Sequence, residues 1–149
     1  WENIMEEDRY PKWTGFSFEM VCIKNIHLYL KERGLEGMFK SVQYWNYVKN
    51  EDSDKEDKGA QIDLLVEYKN NNYDIVECKY VKTEFSIEQD EYKKILNKKA
   101  MLIKHGLKNK KYDIKLVMLT TYGTKINKYY NNLPINDDIK LKNMLGIDD

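Results

Sequence analysis

The stretch from Gly59 to Val81 constrains this chain most. Ala60 to Tyr68 reads as a strand, Lys69-Asn70-Asn71-Asn72 as a turn, and Tyr73 to Val81 as the strand that returns. Asparagine tolerates the positive φ that a tight connection needs, so the two strands close into a β-hairpin. Side chains alternate faces along a strand. Glu77 and Lys79 therefore share a face with Ile75, while Val76, Cys78 and Tyr80 take the other. On the preceding strand Asp63 shares a face with Leu65 and Glu67. A three-residue loop of Lys69 to Asn71 sets Asp63 directly across from Glu77, with the two Cβ atoms roughly 5 Å apart.

Two carboxylates that close repel one another and need a proton or a cation between them. Hard oxygen donors without histidine or cysteine side chains favour Mg²⁺ or Mn²⁺ over zinc. The backbone carbonyl of Cys78 is a further oxygen on the same strand. Lys79 would stand beside an ion held by Asp63 and Glu77, where its ammonium orients water and offsets charge growing on a phosphate. The spacing is weak evidence by itself, because 34% of the chain is charged. On an exposed sheet Glu77 and Lys79 would be no more than a same-face ion pair.

The flanking segments supply two further ionisable groups. Thr14 or Gly15 opens a helix that runs to about Arg33 and stops at Gly34. Its apolar stripe is Phe18, Cys22, Ile23, Ile26, Tyr29 and Leu30, and Glu19 falls in the middle of it. Gly37 to Val48 reads as an aromatic-rich strand, followed by the charged, flexible loop Lys49 to Lys58. Ser86, with Gln89 three residues on, reads as a capping box for a helix from Ile87 to His105. Its apolar face is Tyr92, Ile95, Leu96 and Ile103, and Lys99 lies on that face. A buried acid and a buried lysine converging on Asp63, Glu77 and Lys79 would satisfy one another around a metal. Glu19 on a slightly misplaced face, and Lys99 snorkelling from a core edge, are the plainer readings. Trp45, Tyr44 and Tyr47 read as sheet packing, and His27 and His105 as exposed residues without partners.

Tyr112 to Thr120 is an apolar strand. A short helix over Thr124–Tyr130, a short strand near Leu133–Ile135 and a last helical turn around Leu141–Leu145 complete the chain. The principal order is αβββαβ, an α/β domain with a mixed β-sheet flanked by helices.

Composition bounds what such a domain does. With 149 residues and 42% hydrophobic content the chain forms one core. Its 25 basic and 25 acidic groups cancel, which excludes a uniformly basic DNA-coating protein. Charge is nonetheless uneven. Lys82 to Lys128 holds twelve lysines against Glu84, Glu88, Asp90, Glu91 and Asp113, a sector suited to phosphate or simply a solvated helix face. Cys22 and Cys78 have no metal-ligand spacing and read as free thiols in a reducing cytoplasm. No apolar run is long enough to span a bilayer, so no membrane partner is expected. Trp1 to Lys12 carries no periodicity and reads as the end of a linker from a longer protein, with the domain over residues 13–149.

The order helix, strand, hairpin with Asp and Glu-x-Lys, helix, strand resembles the PD-(D/E)XK, or restriction-endonuclease-like, superfamily core. The runs Gly15-Phe16-Ser17-Phe18-Glu19, Gly59-Ala60-Gln61-Ile62-Asp63-Leu64-Leu65, Glu77-Cys78-Lys79, Phe85-Ser86-Ile87 and Leu119-Thr120-Thr121-Tyr122-Gly123 are similar to the C-terminal nuclease-like domain of prokaryotic, archaeal-type P-loop AAA ATPases. Ile62 stands where the superfamily's name has proline. The resemblance implies metal ligands at Asp63 and Glu77, a catalytic lysine at Lys79 and a supporting acid at Glu19, and it matches Lys99 to a lysine of the second helix. It implies DNA as substrate and an ATPase upstream, since no phosphate-binding loop is present here. A homodimer that cuts both strands is the assembly many such nucleases use. Two other readings stay open: a catalytically silent, nuclease-derived binding or regulatory module of an ATPase, and a structural domain whose charges form a buried ion-pair network.

Overall fold

The computed structural model describes residues 18–147. The expected linker Trp1–Lys12 and the expected helix start at Thr14 or Gly15 lie outside them. Helices α1 (Phe18–Lys24) and α2 (Ile26–Arg33) lead into β1 (Phe39–Tyr47), β2 (Ala60–Tyr68) and β3 (Asn72–Lys79). Helix α3 (Gln89–Met101) and one π-helical turn (Leu102–Gly106) follow, then β4 (Asp113–Thr120), α4 (Lys128–Asn132), β5 (Ile135–Lys140) and α5 (Leu141–Leu145).

The strands form one mixed sheet in the order β1-β2-β3-β4-β5. β1, β2 and β3 pair antiparallel, and β4 and β5 add in parallel. The hairpin closes as the sequence predicts: Tyr68 pairs with Asn72, and Asn70 and Asn71 take φ of 66° and 59°. The sheet separates two apolar layers. On one face Phe18, Cys22, Tyr29 and Leu30 meet Leu64, Val66, Val76, Val117 and Leu141. On the other, Ile62, Leu65, Ile75 and Met118 meet Ile87, Ile95 and Leu102. Burying each large aliphatic side chain contributes about 1.5–3 kcal/mol, so both layers are needed.

The structure departs from the sequence reading at four places. The first helix is broken at Asn25, whose side chain donates to the Val21 carbonyl at 2.9 Å and competes with the backbone ladder. Gly34 ends α2 in the left-handed conformation at φ 69°, as its position predicts. Helix α3 starts at Gln89 rather than Ile87, because Asn127 Nδ2 takes the Ile87 carbonyl at 3.0 Å. Ser86 Oγ turns to the Glu88 carboxylate instead of capping a helix. The last strand runs Ile135–Lys140, later than Leu133–Ile135, and the preceding helix is Lys128–Asn132.

The loop after β1 is held down, contrary to the flexible segment expected. Asp57, 2% exposed, receives Lys104 Nζ at 2.8 Å and lies 3.0 Å from His105 Nε2. His105 therefore has partners, correcting the expectation that it is exposed and alone; its ring also stacks on Tyr47. His27 is exposed, as read. A buried polar cluster anchors α2 to the sheet. Asp74, 0% exposed, accepts from Tyr29 Oη at 2.7 Å, Tyr68 Oη at 2.5 Å and Arg33 Nε and Nη2 at 2.9 and 3.0 Å. Among the described residues no helix is long and apolar enough to cross a membrane.

Candidate active site

The site forms where β2 and β3 meet the Glu91–Lys98 stretch of α3. Pairing runs from Tyr68↔Asn72 to Leu64↔Val76, and Asp63 and Glu77 are the next residues of the two strands beyond its last pair. Asp63 also sits in an irregularity. Gln43 pairs with Leu65 and Trp45 with Ile62, so Asp63 and Leu64 together face the single residue Tyr44. This is a β-bulge, a feature that re-aims a side chain. It accounts for Ile62 and Leu65, three apart, entering the same apolar layer.

A cleft of about 300 Å³ opens here, lined by Gly59, Ala60, Gln61, Asp63, Lys79 and, from α3, Glu91, Lys94, Asn97 and Lys98. Asn97 Nδ2 donates to the carbonyls of Lys58 and Gly59 at 3.3 and 3.1 Å, fixing one wall to α3. Asp63 Oδ1 accepts from Gln61 Nε2 at 2.6 Å. The hydroxyls of Thr120 and Thr121 tie off the strand ends at the site: Thr121 Oγ1 accepts from Val81 N at 3.0 Å, and Thr120 Oγ1 from Gly123 N at 2.8 Å.

Glu77 and Lys79 project toward α3, as their alternation requires. Glu77 is 3% exposed, and both of its oxygens accept from Lys98 Nζ at 3.0 Å. Burial pushes its carboxyl above the usual range, opposed by the charges of Lys98 and Lys79. Lys79 Nζ lies 2.6 Å from Glu91 Oε1 and 5.5 Å from the Phe85 ring centroid. Burial works against the Lys79 ammonium, but Glu91 and then Glu77 outweigh it and raise its pKa.

The other sequence-derived residues stand apart from the cleft. Cys78 turns to the opposite face, where Cys22 and burial, followed by the charges of Glu19 and Glu77, push its thiol pKa well up. Glu19 is thus near Cys78 on the α1 side, and it is not one of the described residues lining the cleft. Lys99 does not join the site either. It borders a separate apolar hollow with Ile75, Ile95, Leu116 and Leu133. The lysine that reaches Glu77 is its neighbour Lys98. Glu91, Ile95, Lys98 and Leu102 fall three to four residues apart and form one helical stripe, whereas Lys99 is rotated one position past it. That stripe was the available signal for Glu91 and Lys98. Among the described residues no group of three or more His, Cys, Asp or Glu side chains gathers to hold a metal ion.

Comparison decides nothing about kinship. The chain matches no family model, no curated protein and no solved structure. The site joins a buried carboxylate, a second carboxylate on the facing strand and three lysines around one polar cleft.

Proposed function

We propose that this domain hydrolyses phosphodiester bonds in DNA with the help of Mg²⁺ or Mn²⁺, as a nuclease of the restriction-endonuclease-like type attached to an ATPase. The observation that carries the reading is the shared cleft of Asp63 and Lys79, with Glu77 beneath it on the strand facing Asp63. The donor set suits a hard cation. Mg²⁺ keeps several waters and is commonly held by only one or two carboxylates, so the lack of a three-acid cluster among the described residues is compatible with it. The buried Glu77 carboxylate also already receives a cationic group through both oxygens.

Asp63 and Glu77 would hold the ion, with the Cys78 carbonyl as a further oxygen. When bound, the ion supplies Lewis acidity and lowers the pKa of a coordinated water. Lys79 orients the attacking water and stabilises charge on the phosphate, while Lys94 and Lys98 on the cleft wall bind the phosphate backbone. Glu91 holds Lys79 in place. Glu19, beside Cys78, is a supporting acid at most. Lys99 is left outside the machinery by its position.

The decisive assay follows cleavage of plasmid and single-stranded DNA with Mg²⁺ or Mn²⁺. Asp63→Ala and Lys79→Ala should each lower the rate by about 100-fold or more. Equal rates in the parent and both variants would remove the assignment. A second reading is a silent binding or regulatory module of the ATPase. One observation favours it: Glu77 and Lys79 are both engaged in internal ion pairs. Calorimetric titration with Mn²⁺ separates the two, since the silent module binds no metal.

A further inference from the structure

We propose that Lys98 is a displaceable counter-ion, which holds the buried Glu77 carboxylate until a divalent cation takes its place and then turns its ammonium to the cleft. This rests on the metal-dependent reading of the site. Glu77 is 3% exposed and spends both oxygens on Lys98 at 3.0 Å. A buried ionised carboxylate without a cation is strongly unfavourable, so whenever Glu77 is charged a positive group must sit there. An ammonium and a doubly charged ion at the same two oxygens repel one another, so the two occupants are exclusive. Lys98 has somewhere to go. Its side chain is 17% exposed and already lines the cleft beside Lys79 and Lys94. Lys79 is not the competitor, because its ammonium is engaged by Glu91 at 2.6 Å.

The exchange has a thermodynamic consequence. Releasing Lys98 adds an unpaired ammonium to the cleft at the moment the ion arrives. Cation and polyanion then favour each other's binding through one side chain. Lys98 is on this account a positioning residue for Glu77 in one state and a phosphate contact in the other.

The test is calorimetric titration of the full chain with Mn²⁺ alone, under alkaline conditions that limit protonation of Glu77. The variants are Lys98→Met, Lys98→Gln and Glu77→Gln. Lys98→Gln keeps a hydrogen-bond donor to Glu77 without the charge, and it serves if Lys98→Met fails to fold by circular dichroism. The expected result is Mn²⁺ binding about tenfold tighter in the Lys98 variants than in the parent, and lost in Glu77→Gln. Equal or weaker binding in the Lys98 variants, with the parent binding Mn²⁺, overturns the counter-ion role and leaves the metal site standing. No binding in the parent or in either Lys98 variant overturns both.

Discussion

Tyr47 and His105 stack face to face, with ring centroids 3.9 Å apart and planes within 5°. The stack joins the end of β1 to the π-helical turn after α3. Asp57 lies at the same junction, in contact with Lys104 and His105. Lys104, and less strongly His105, hold the Asp57 carboxyl below its ordinary range against the opposing effect of burial. A carboxyl with a folded pKa below its unfolded one contributes stability at higher pH and loses it as pH falls through the folded value. Asp57→Asn should therefore melt below the parent near pH 6, with the gap closing toward pH 3. Thermal melts across that range check this, and a gap of constant size contradicts it.

The Asp74 cluster sets the stability of the opposite layer. Removing its carboxylate leaves Arg33 with only its weaker contact to Asp137 and the hydroxyls of Tyr29 and Tyr68 without their acceptor. Asp74→Ala should cost about 3–5 kcal/mol. Tyr29→Phe removes one hydrogen bond and should cost only about 1 kcal/mol. Urea unfolding measures both, and equal losses would mean that Asp74 is not the hub.

Gly106 is predicted to resist a side chain. A Cβ there would lie 2.8 Å from Leu102 Cδ1 and 3.1 Å from Trp45 Nε1. Leucine can rotate away, but Trp45 is packed in the layer under α3. Gly106→Ala should destabilise the fold by about 1–3 kcal/mol and alter tryptophan emission. Unchanged melting and emission would show that the turn relaxes freely.

Much of the hairpin was legible. Ala60–Tyr68 is a strand over the residues its alternation marks, and the loop length gave the register that runs from Tyr68↔Asn72 to Leu64↔Val76. Leu141–Leu145 is the terminal helical turn as read. Several of the misses share a cause: partners distant in sequence. Asn136, Asp137 and Asp138 are poor strand formers. In β5 they are held by the Leu116 amide, by Arg33, and by Thr124 with Tyr130. The bulge at Asp63 is invisible in a pattern of alternating residues, because only pairing with β1 reveals it. Lys98 was missed for Lys99 because stretching the apolar face to Leu96 rotated the assumed stripe; Leu96 is 40% exposed and belongs outside it.

The inserted residue in β2 gives that strand two parities. Ile62 and everything before it follow one, and Leu65 and everything after it follow the other. Deleting either Asp63 or Leu64 would straighten the strand without reversing its leading end, because Ile62 and Leu65 would then stand two positions apart and share a face. Ile62 would stay in the α3 layer, whereas the Asp63 carboxylate would be lost with its residue or turned to the opposite face, and the cleft would lose its β2 acid either way. The geometry of the site is thus tied to a residue count rather than to any one side chain.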